Sequence, residues 1–499
     1  MKNVILFWYF VLIGFITCVS TQPPTALDDY VNKVDLSYSW YEISEKRFSG
    51  PGYQGFTLNM TSQTWLKSAD FIGQNSNCHI WWHQVVIVIP IILNPKYATT
   101  STLYIKDGYN DNGNYSNGDQ FNSIVNFSLK LGIVGALLNQ IPNAPCIFSA
   151  DPQRKQRTED GILAFGWAQY LQNTSQPEWL LRLPMVKSVV RAMDAITAFV
   201  YEVSKTELSI NQYITMGESK RGWTTWLTSP VDKRIIGIIP IVMSVLNFQE
   251  NLHHYWRAFN GWSFEFEDYY NESMLARLDT SEVTQMMSII DPYIYSKRLE
   301  RVPIYNIETT GDEFFMPDDS LYWRETGMKG IFHQRMMPNC EHTLTECRSD
   351  AMAGIQAWLI TLVSNDSFPL FKWSIANGTG TITVQPESGI LSNVSMWYAH
   401  TLSSERRDFR EYRMGTVGPD SPPIYQPIQW FSQQLKANQD GTYTAAMPTP
   451  ESGWTGLYVE MQYTARNENM LRFTTDVSVI SQIFPFLDCH GSDCRGTLL

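Results

Sequence analysis

Residues 212–226 read QYITMGESKRGWTTW: an apolar run (Tyr213, Ile214, Met216) ends in Gly217, and Ser219 and Gly222 follow at the head of a segment able to start a helix. Strand, tight turn, serine, helix is the layout of a nucleophile elbow. Arg221 stands where the G-x-S-x-G pattern has its second glycine, and Gly222 comes one step later. A serine hydroxyl is a weak nucleophile until the backbone presents it and a base activates it. Without partners, a glycine-flanked serine is an ordinary turn, so the reading depends on what lies downstream.

The partners come in the order Ser, Asp, His found in α/β-hydrolases. Residues 302–309 (VPIYNIET) read as a strand that runs into Thr310, Gly311 and Asp312. A second apolar stretch (Ile331, Phe332, Met336, Met337) leads to the loop PNCEHTL, which holds His342. In such a triad His342 takes the proton of Ser219, while Asp312 fixes the imidazole tautomer and stabilises the imidazolium. The first oxyanion donor is then the backbone N–H of Lys220, the residue after the nucleophile. The second belongs to the turn after an early strand, where residues 103–106 run into Asp107, Gly108 and Tyr109, so Gly108 or Tyr109 is the candidate. Lys220 and Arg221 suit either an anionic substrate group or pairing with structural acids, and Trp223, Trp226 and Trp262 suit either a pocket wall or the core.

The stretches GESKRGWTTWLTSPVDKRI, TGDEFFMPDDS, PNCEHTL, LPMVKSVVRAMDAI, LNFQENLHHYWRAFNGWS and IIDPYIY resemble the PhoPQ-activated pathogenicity-related proteins. The similarity runs from about Asp28 to about Thr475. It implies an α/β-hydrolase-like fold with the serine, acid and histidine at Ser219, Asp312 and His342. A eukaryotic branch of the resemblance implies a secreted autocrine signal that represses cell proliferation.

Met1 and Lys2 open the chain as a short positive region, followed by a continuous apolar run over residues 4–19 whose end, Cys18 and Val19, leads through Ser20 to Pro23 and Pro24. This is the pattern of a secretory signal peptide over 1–20, with Thr21 as the new N-terminus, and the expected location is extracellular. An uncleaved anchor is the alternative. Cys78, Cys146, Cys340, Cys347, Cys489 and Cys494 then remain, an even number suited to disulfides in an oxidising compartment. Connectivity is not deducible from spacing alone; the local pairs Cys340–Cys347 and Cys489–Cys494 are the first expectation. N-x-S/T acceptor sequences occur at Asn59, Asn114, Asn126, Asn173, Asn271, Asn365, Asn377 and Asn393, so the protein reads as a glycoprotein. No CxxC pair occurs, and neither metal nor cofactor is expected.

The 499 residues carry a formal charge of −12 with 44% hydrophobic content. That balance supports a large core and excludes nucleic acid, whose binding rests on Lys and Arg neutralising phosphates, as a natural partner. Strands are expected over 83–92, 102–106, 131–138, 213–216, 235–242, 304–308 and 331–336, and helices over 185–205, from Thr158 onward, and over 350–363. Alternating strands and helices imply a mostly parallel sheet covered on both sides. After Ser364 the pattern turns to short alternating strands divided by Gly and Pro. The expected organisation is a signal peptide (1–20), an α/β-hydrolase-like domain with an N-terminal strand-rich extension (21–365), a smaller β-rich, β-sandwich-like domain (366–480) and a C-terminal tail (481–499). Two functional readings remain open. One is a signal that engages a cell-surface receptor or extracellular protein partner. The other is a serine hydrolase acting on a peptide or ester. Neither requires a membrane span after signal cleavage.

Overall fold

The computed structural model describes residues 23–73, 78–111, 113–205, 207–415, 422–465 and 469–499; the expected signal peptide lies outside them. Ten strands form the central sheet: β1 (Ser39–Glu42), β2 (Phe48–Gly50), β3 (Tyr53–Thr64), β4 (Ile80–Pro90), β5 (Thr100–Ile105), β6 (Val134–Leu138), β7 (Gln212–Glu218), β8 (Ile235–Ile241), β9 (Ile304–Thr309) and β10 (Phe332–Met337). Their order is β1-β3-β4-β6-β5-β7-β8-β9-β10, with β2 beside β3. From β6 to β10 every neighbouring pair is parallel, whereas β3, β4 and β6 pair antiparallel. This is a mixed α/β, α/β-hydrolase-like architecture.

The parallel strands read as near-continuous apolar runs because both faces are covered. Alternate residues serve different cores. Leu103, Ile105, Ala136, Tyr213 and Ile238 join one cluster with the helices α1 (Ala26–Asn32), α3 (Glu159–Gln172), α4 (Arg182–Val203) and α5 (Lys220–Thr228). Tyr104, Leu137, Ile214, Ile239 and Ile307 join the other, with α2 (Asp119–Leu131) and α11 (Arg348–Val363). Between β8 and β9 the chain inserts a helical cap made of α6 (Phe248–Phe259), α7 (Glu267–Asn271), α8 (Ser281–Ile290) and α9 (Ser296–Leu299); α10 (Arg324–Gly327) lies between β9 and β10.

Beyond α11 the described residues form a two-stranded antiparallel ribbon (Tyr412–Arg413 with Ile424–Tyr425) and two larger antiparallel sheets. One has three strands, Phe371–Ile375, Ile382–Pro386 and Tyr443–Ala445; the other has five, including Ile390–His400, Thr455–Thr464 and Met470–Thr474. Their inner residues Val384, Val394, Leu457 and Val459 belong to the same apolar cluster as Trp358 of α11 and Tyr305 of β9. The five-stranded sheet also caps the edge of the main one. The Met336 N–H donates to Thr474 Oγ1 at 3.0 Å and the Tyr305 hydroxyl to the Arg472 carbonyl at 2.9 Å. An open edge would otherwise expose unpaired backbone groups.

The C-terminal tail closes on the cap. Trp262 N–H donates to the Thr497 carbonyl at 2.9 Å, and Leu499 N–H returns to the Trp262 carbonyl at 2.7 Å. His253 sits between Asp488 and Asp279, 2.8 Å from each. Three disulfides form: Cys340–Cys347 and Cys489–Cys494, the two local pairs expected, and Cys78–Cys146 across 68 residues.

Some boundaries differ from the expectation for identifiable reasons. The strand expected over 131–138 begins only at Val134, because Leu131 ends α2 and Gly132 closes that helix in the left-handed region at φ 67°, a common helix stop. The strand expected to reach Ile92 stops at Pro90, leaving Ile91 and Ile92 exposed. The helix expected from Met185 starts at Arg182 and holds Pro184 in its first turn, where a missing N–H is tolerated.

Candidate active site

Every group of the expected triad sits just past the C-terminal end of a parallel strand, where open α/β sheets place their sites. Ser219 lies between β7 and α5 at φ 55°, ψ −123°, a strained backbone for a residue with a Cβ. Its N–H donates to the Ile241 carbonyl at the end of β8, 2.8 Å away. Gly222 explains the altered glycine spacing. A Cβ there would lie 2.9 Å from the Met243 Cβ and 3.0 Å from the Ile241 carbonyl oxygen, so α5 approaches β8 this closely only with glycine. Glu218, one residue before the serine, is bound by Tyr104 of β5 and by Arg348 at the head of α11, which pins the elbow from the opposite face.

Asp312 follows β9 and His342 follows β10. His342 Nε2 is 2.9 Å from Ser219 Oγ, and His342 Nδ1 is 2.7 Å from Asp312 Oδ2. The second carboxylate oxygen of Asp312 accepts the N–H groups of Phe314 at 2.8 Å and Phe315 at 3.0 Å. The imidazole packs on the rings of those two phenylalanines, with centroids 4.7 and 5.6 Å away. Its loop is tied by the Cys340–Cys347 disulfide, and its backbone N–H donates to Glu313 at 3.2 Å. Burial opposes protonation of His342, but the charge and hydrogen bond of Asp312, helped by Glu313, raise its pKa above the ordinary imidazole value. Burial and the charge of Asp312 push Glu313 up to about 8. Glu308 of β9 is raised well above its ordinary range by burial and by Asp312.

Ser219 opens on a largely apolar cavity of about 60 Å³ between α5 and the cap. Its wall includes Trp167, Trp223, Phe248, Tyr269 and Phe314, and its few polar groups are Asp160, Arg182 and Lys220. Trp223 is therefore a pocket residue, whereas Trp226 and Trp262 are fully buried outside the lining set. The side chains of Lys220 and Arg221 pair with acids at the start of α3. Lys220 Nζ lies 2.8 Å from Asp160 and 3.0 Å from Glu159, and Arg221 lies 2.6 Å from Glu159.

Lys220 contributes the first backbone N–H of α5, a position with no intrahelical acceptor. Gly108 and Tyr109 follow β5, whose Ile105 pairs with Gly217. They line a neighbouring hollow with Lys106, Asp107, Tyr115 and Glu159, outside the set that lines the Ser219 cavity. Of the glycosylation candidates, Asn114, Asn126, Asn173, Asn271, Asn365 and Asn377 are exposed, whereas Asn59 and Asn393 are half-buried within strands. Sequence reasoning did not find Asp160, Arg182, Trp167, Phe248 or Tyr269. They come from α3, α4 and the cap, and no short-range motif links them to residue 219.

Fold and site together define an α/β-hydrolase-like protein with a hydrogen-bonded serine, histidine and aspartate. A family model described as PhoPQ-activated pathogenicity-related protein matches residues 27–410. The chain is also 36% identical over 487 residues to "Autocrine proliferation repressor protein A" of Dictyostelium discoideum, covering 95% of this chain and 94% of that one. The chain belongs to the PhoPQ-activated pathogenicity-related family. Among solved structures, it resembles an acetyl xylan esterase from Paenibacillus sp. R4 (13% identity, 66% of this chain and 91% of that one, TM-score 0.44). Another is acetyl xylan esterase 1 from Thermoanaerobacterium sp. JW/SL YS485 (14% identity, 68% and 94%, TM-score 0.41).

Proposed function

We propose that this protein is a secreted serine hydrolase of ester or peptide acyl bonds that acts outside the cell as a signal repressing proliferation. One observation carries the enzymatic half: the continuous chain from Ser219 Oγ through His342 to Asp312, at 2.9 and 2.7 Å, beside an apolar cavity. In the reaction, Ser219 Oγ bonds to the substrate carbonyl carbon as its proton passes to His342 Nε2. The tetrahedral oxyanion is met by the Lys220 N–H. Collapse breaks the bond to the leaving alcohol or amine, which takes the proton from His342. Water, deprotonated by the same imidazole, then releases the acid and restores the serine hydroxyl. The extracellular half rests on the disulfides, the leader-like N-terminal sequence and the relative named as an autocrine proliferation repressor.

The test is labelling of protein collected from the medium with a fluorophosphonate probe. The expected result is a single adduct on the peptide holding Ser219, on a chain beginning at residue 21, with loss of growth repression after labelling. Absence of the adduct would remove the enzymatic reading. Repression that survives full labelling would favour a second one, suggested by the name of the relative: a receptor or extracellular protein partner engaged by another surface, with catalysis incidental.

The base must be neutral to accept the serine proton, so activity rises with pH as His342 loses its own. Because the neighbouring acids hold that proton, the acid limb of a kcat/KM profile is expected above the ordinary imidazole value of about 6.5. A limb below that value would mean that Asp312 does not govern the imidazole.

A further inference from the structure

The described arginines that are buried are Arg157, Arg182, Arg221, Arg335, Arg407 and Arg410. Five of them meet a carboxylate: Asp151 and Glu272, Glu159, Asp350, Asp318 and Asp408 respectively. Arg182 meets none among the described residues, although it is only 1% exposed. Its Nη1 donates to the Lys220 carbonyl at 2.8 Å, and its guanidinium lies over the Trp223 ring, 4.2 Å from the centroid. Its Nε is buried without any hydrogen-bond partner. The acid electrostatically nearest by way of α3, Asp160, is already engaged: one oxygen holds Lys220 Nζ and the other the Tyr269 hydroxyl.

A buried guanidinium with no carboxylate in direct contact is unfavourable, and an unmet buried donor demands an explanation. The position of Arg182 supplies one. It lines the same cavity as Ser219, and the carbonyl it holds belongs to the residue next to the nucleophile. The edge left unengaged, Nε with Nη2, is the fork that receives a carboxylate through two parallel N–H···O bonds. Burial pulls the guanidinium down to about 10 against the opposing influence of Tyr269, Asp160 and Glu159, none of which forms an ion pair with it, as expected of a cation whose partner arrives with the ligand.

We infer that Arg182 is a specificity residue that binds a carboxylate on the acyl side of the substrate, so that the preferred substrate carries an apolar chain ending in an acid. The inference rests on the hydrolase reading for its catalytic part only, because binding is readable without turnover. The apolar wall accommodates the methylenes and the Arg182 fork the terminal carboxylate, while the ester or amide carbonyl faces Ser219. A neutral chain of equal length leaves the fork unmet.

The experiment compares mono-p-nitrophenyl adipate with p-nitrophenyl hexanoate in the full-length secreted protein. The wild type is expected to favour the acid-bearing ester by about 30-fold or more in kcat/KM, the range of a hydrogen-bonded charge. Arg182→Met should bring the ratio of the two close to one, and Arg182→Lys, which keeps the charge and loses the fork, should fall between. A lesion that merely loosens α5 would lower both esters by the same factor and leave the ratio intact, which would overturn the inference, as would a wild-type ratio near one. If neither ester is turned over, binding decides. In Ser219→Ala, monomethyl adipate should raise the melting temperature more than methyl hexanoate, and Arg182→Met added to that variant should abolish the difference. That result would keep the carboxylate site while the hydrolase reading fails, whereas equal shifts for both ligands would overturn the site itself.

Discussion

Ser219→Ala is expected to lower kcat for an activated ester by about a million-fold and Asp312→Asn by about ten-thousand-fold, with the thermal transition of both variants close to that of the wild type. The alanine removes the atom that forms the acyl-enzyme. The asparagine leaves every atom in place and acts through the tautomer, for a reason local to this site. Asp312 Oδ1 accepts two backbone N–H groups, from Phe314 and Phe315. Only the carbonyl oxygen of an asparagine can fill that position. The amide nitrogen must then face His342 Nδ1, which becomes an acceptor, so the imidazole proton moves to Nε2. That nitrogen now donates to Ser219 Oγ and can no longer take its proton. The double variant should lose no more than Ser219→Ala alone, because groups acting as one unit are not additive. Steady-state turnover of p-nitrophenyl acetate measures all three. A loss for Asp312→Asn of less than about tenfold would show that His342 is not the base.

The parts of this site that could be read from the sequence are those created locally. The elbow is a run of strand, turn and helix within fifteen residues of chain, and Asp312 and His342 each follow an apolar strand by a few positions. Their order along the chain carried the rest, since parallel strands with right-handed crossovers bring successive strand ends to one rim of the sheet. The long strand β3 was harder to see. Gly55, Asn59, Ser62 and Gln63 interrupt its apolar pattern, yet most of the strand is buried because polar groups find partners there, as when Gln63 donates to the Pro184 carbonyl at 2.8 Å. The helix α2 was hidden in a polar stretch whose buried stripe (Phe121, Ile124, Phe127, Leu131) is plain only once Gly118 and Gly132 are known as its ends. Of the aromatic cavity wall, only Trp223 was offered by the sequence, and there pocket and core stood as alternatives. The wall is assembled from α3, α4, α5 and the cap, and its shape depends on tertiary packing that no spacing encodes. The paired acids of Lys220 and Arg221 show the same limit, because Glu159 and Asp160 lie some sixty residues upstream.

Arg407→Met is expected to destabilise the fold by about 3–5 kcal/mol at neutral pH, far more than any surface ion pair removed elsewhere. Arg407 comes from the segment that follows the strand Ile390–His400, and its partner Asp318 from the loop after β9; the two are 4% and 2% exposed. The other oxygen of Asp318 lies 3.0 Å from His254 Nε2 of α6. One buried carboxylate thus joins the cap, the α/β core and the C-terminal region. Burial alone would raise the Asp318 pKa, but the charge of Arg407 and the contact with His254 hold it well below the carboxylate range. The depressed folded value means that this contribution is present above the unfolded pKa of about 4 and is lost as pH falls through the folded value. Removing Arg407 reverses the sign. Asp318 stays buried without its cation, its folded pKa rises above the unfolded one, and stability is then lost as pH increases. The deficit of Arg407→Met should therefore be smallest near pH 4 and grow toward pH 7, a comparison made by urea unfolding of both proteins at the two pH values. Adding Asp318→Leu should recover part of the loss at pH 7, because it removes the stranded charge. A deficit that is the same at both pH values would mean that Arg407 contributes by packing on the Phe484 ring, 4.4 Å from its guanidinium, and not by neutralising Asp318.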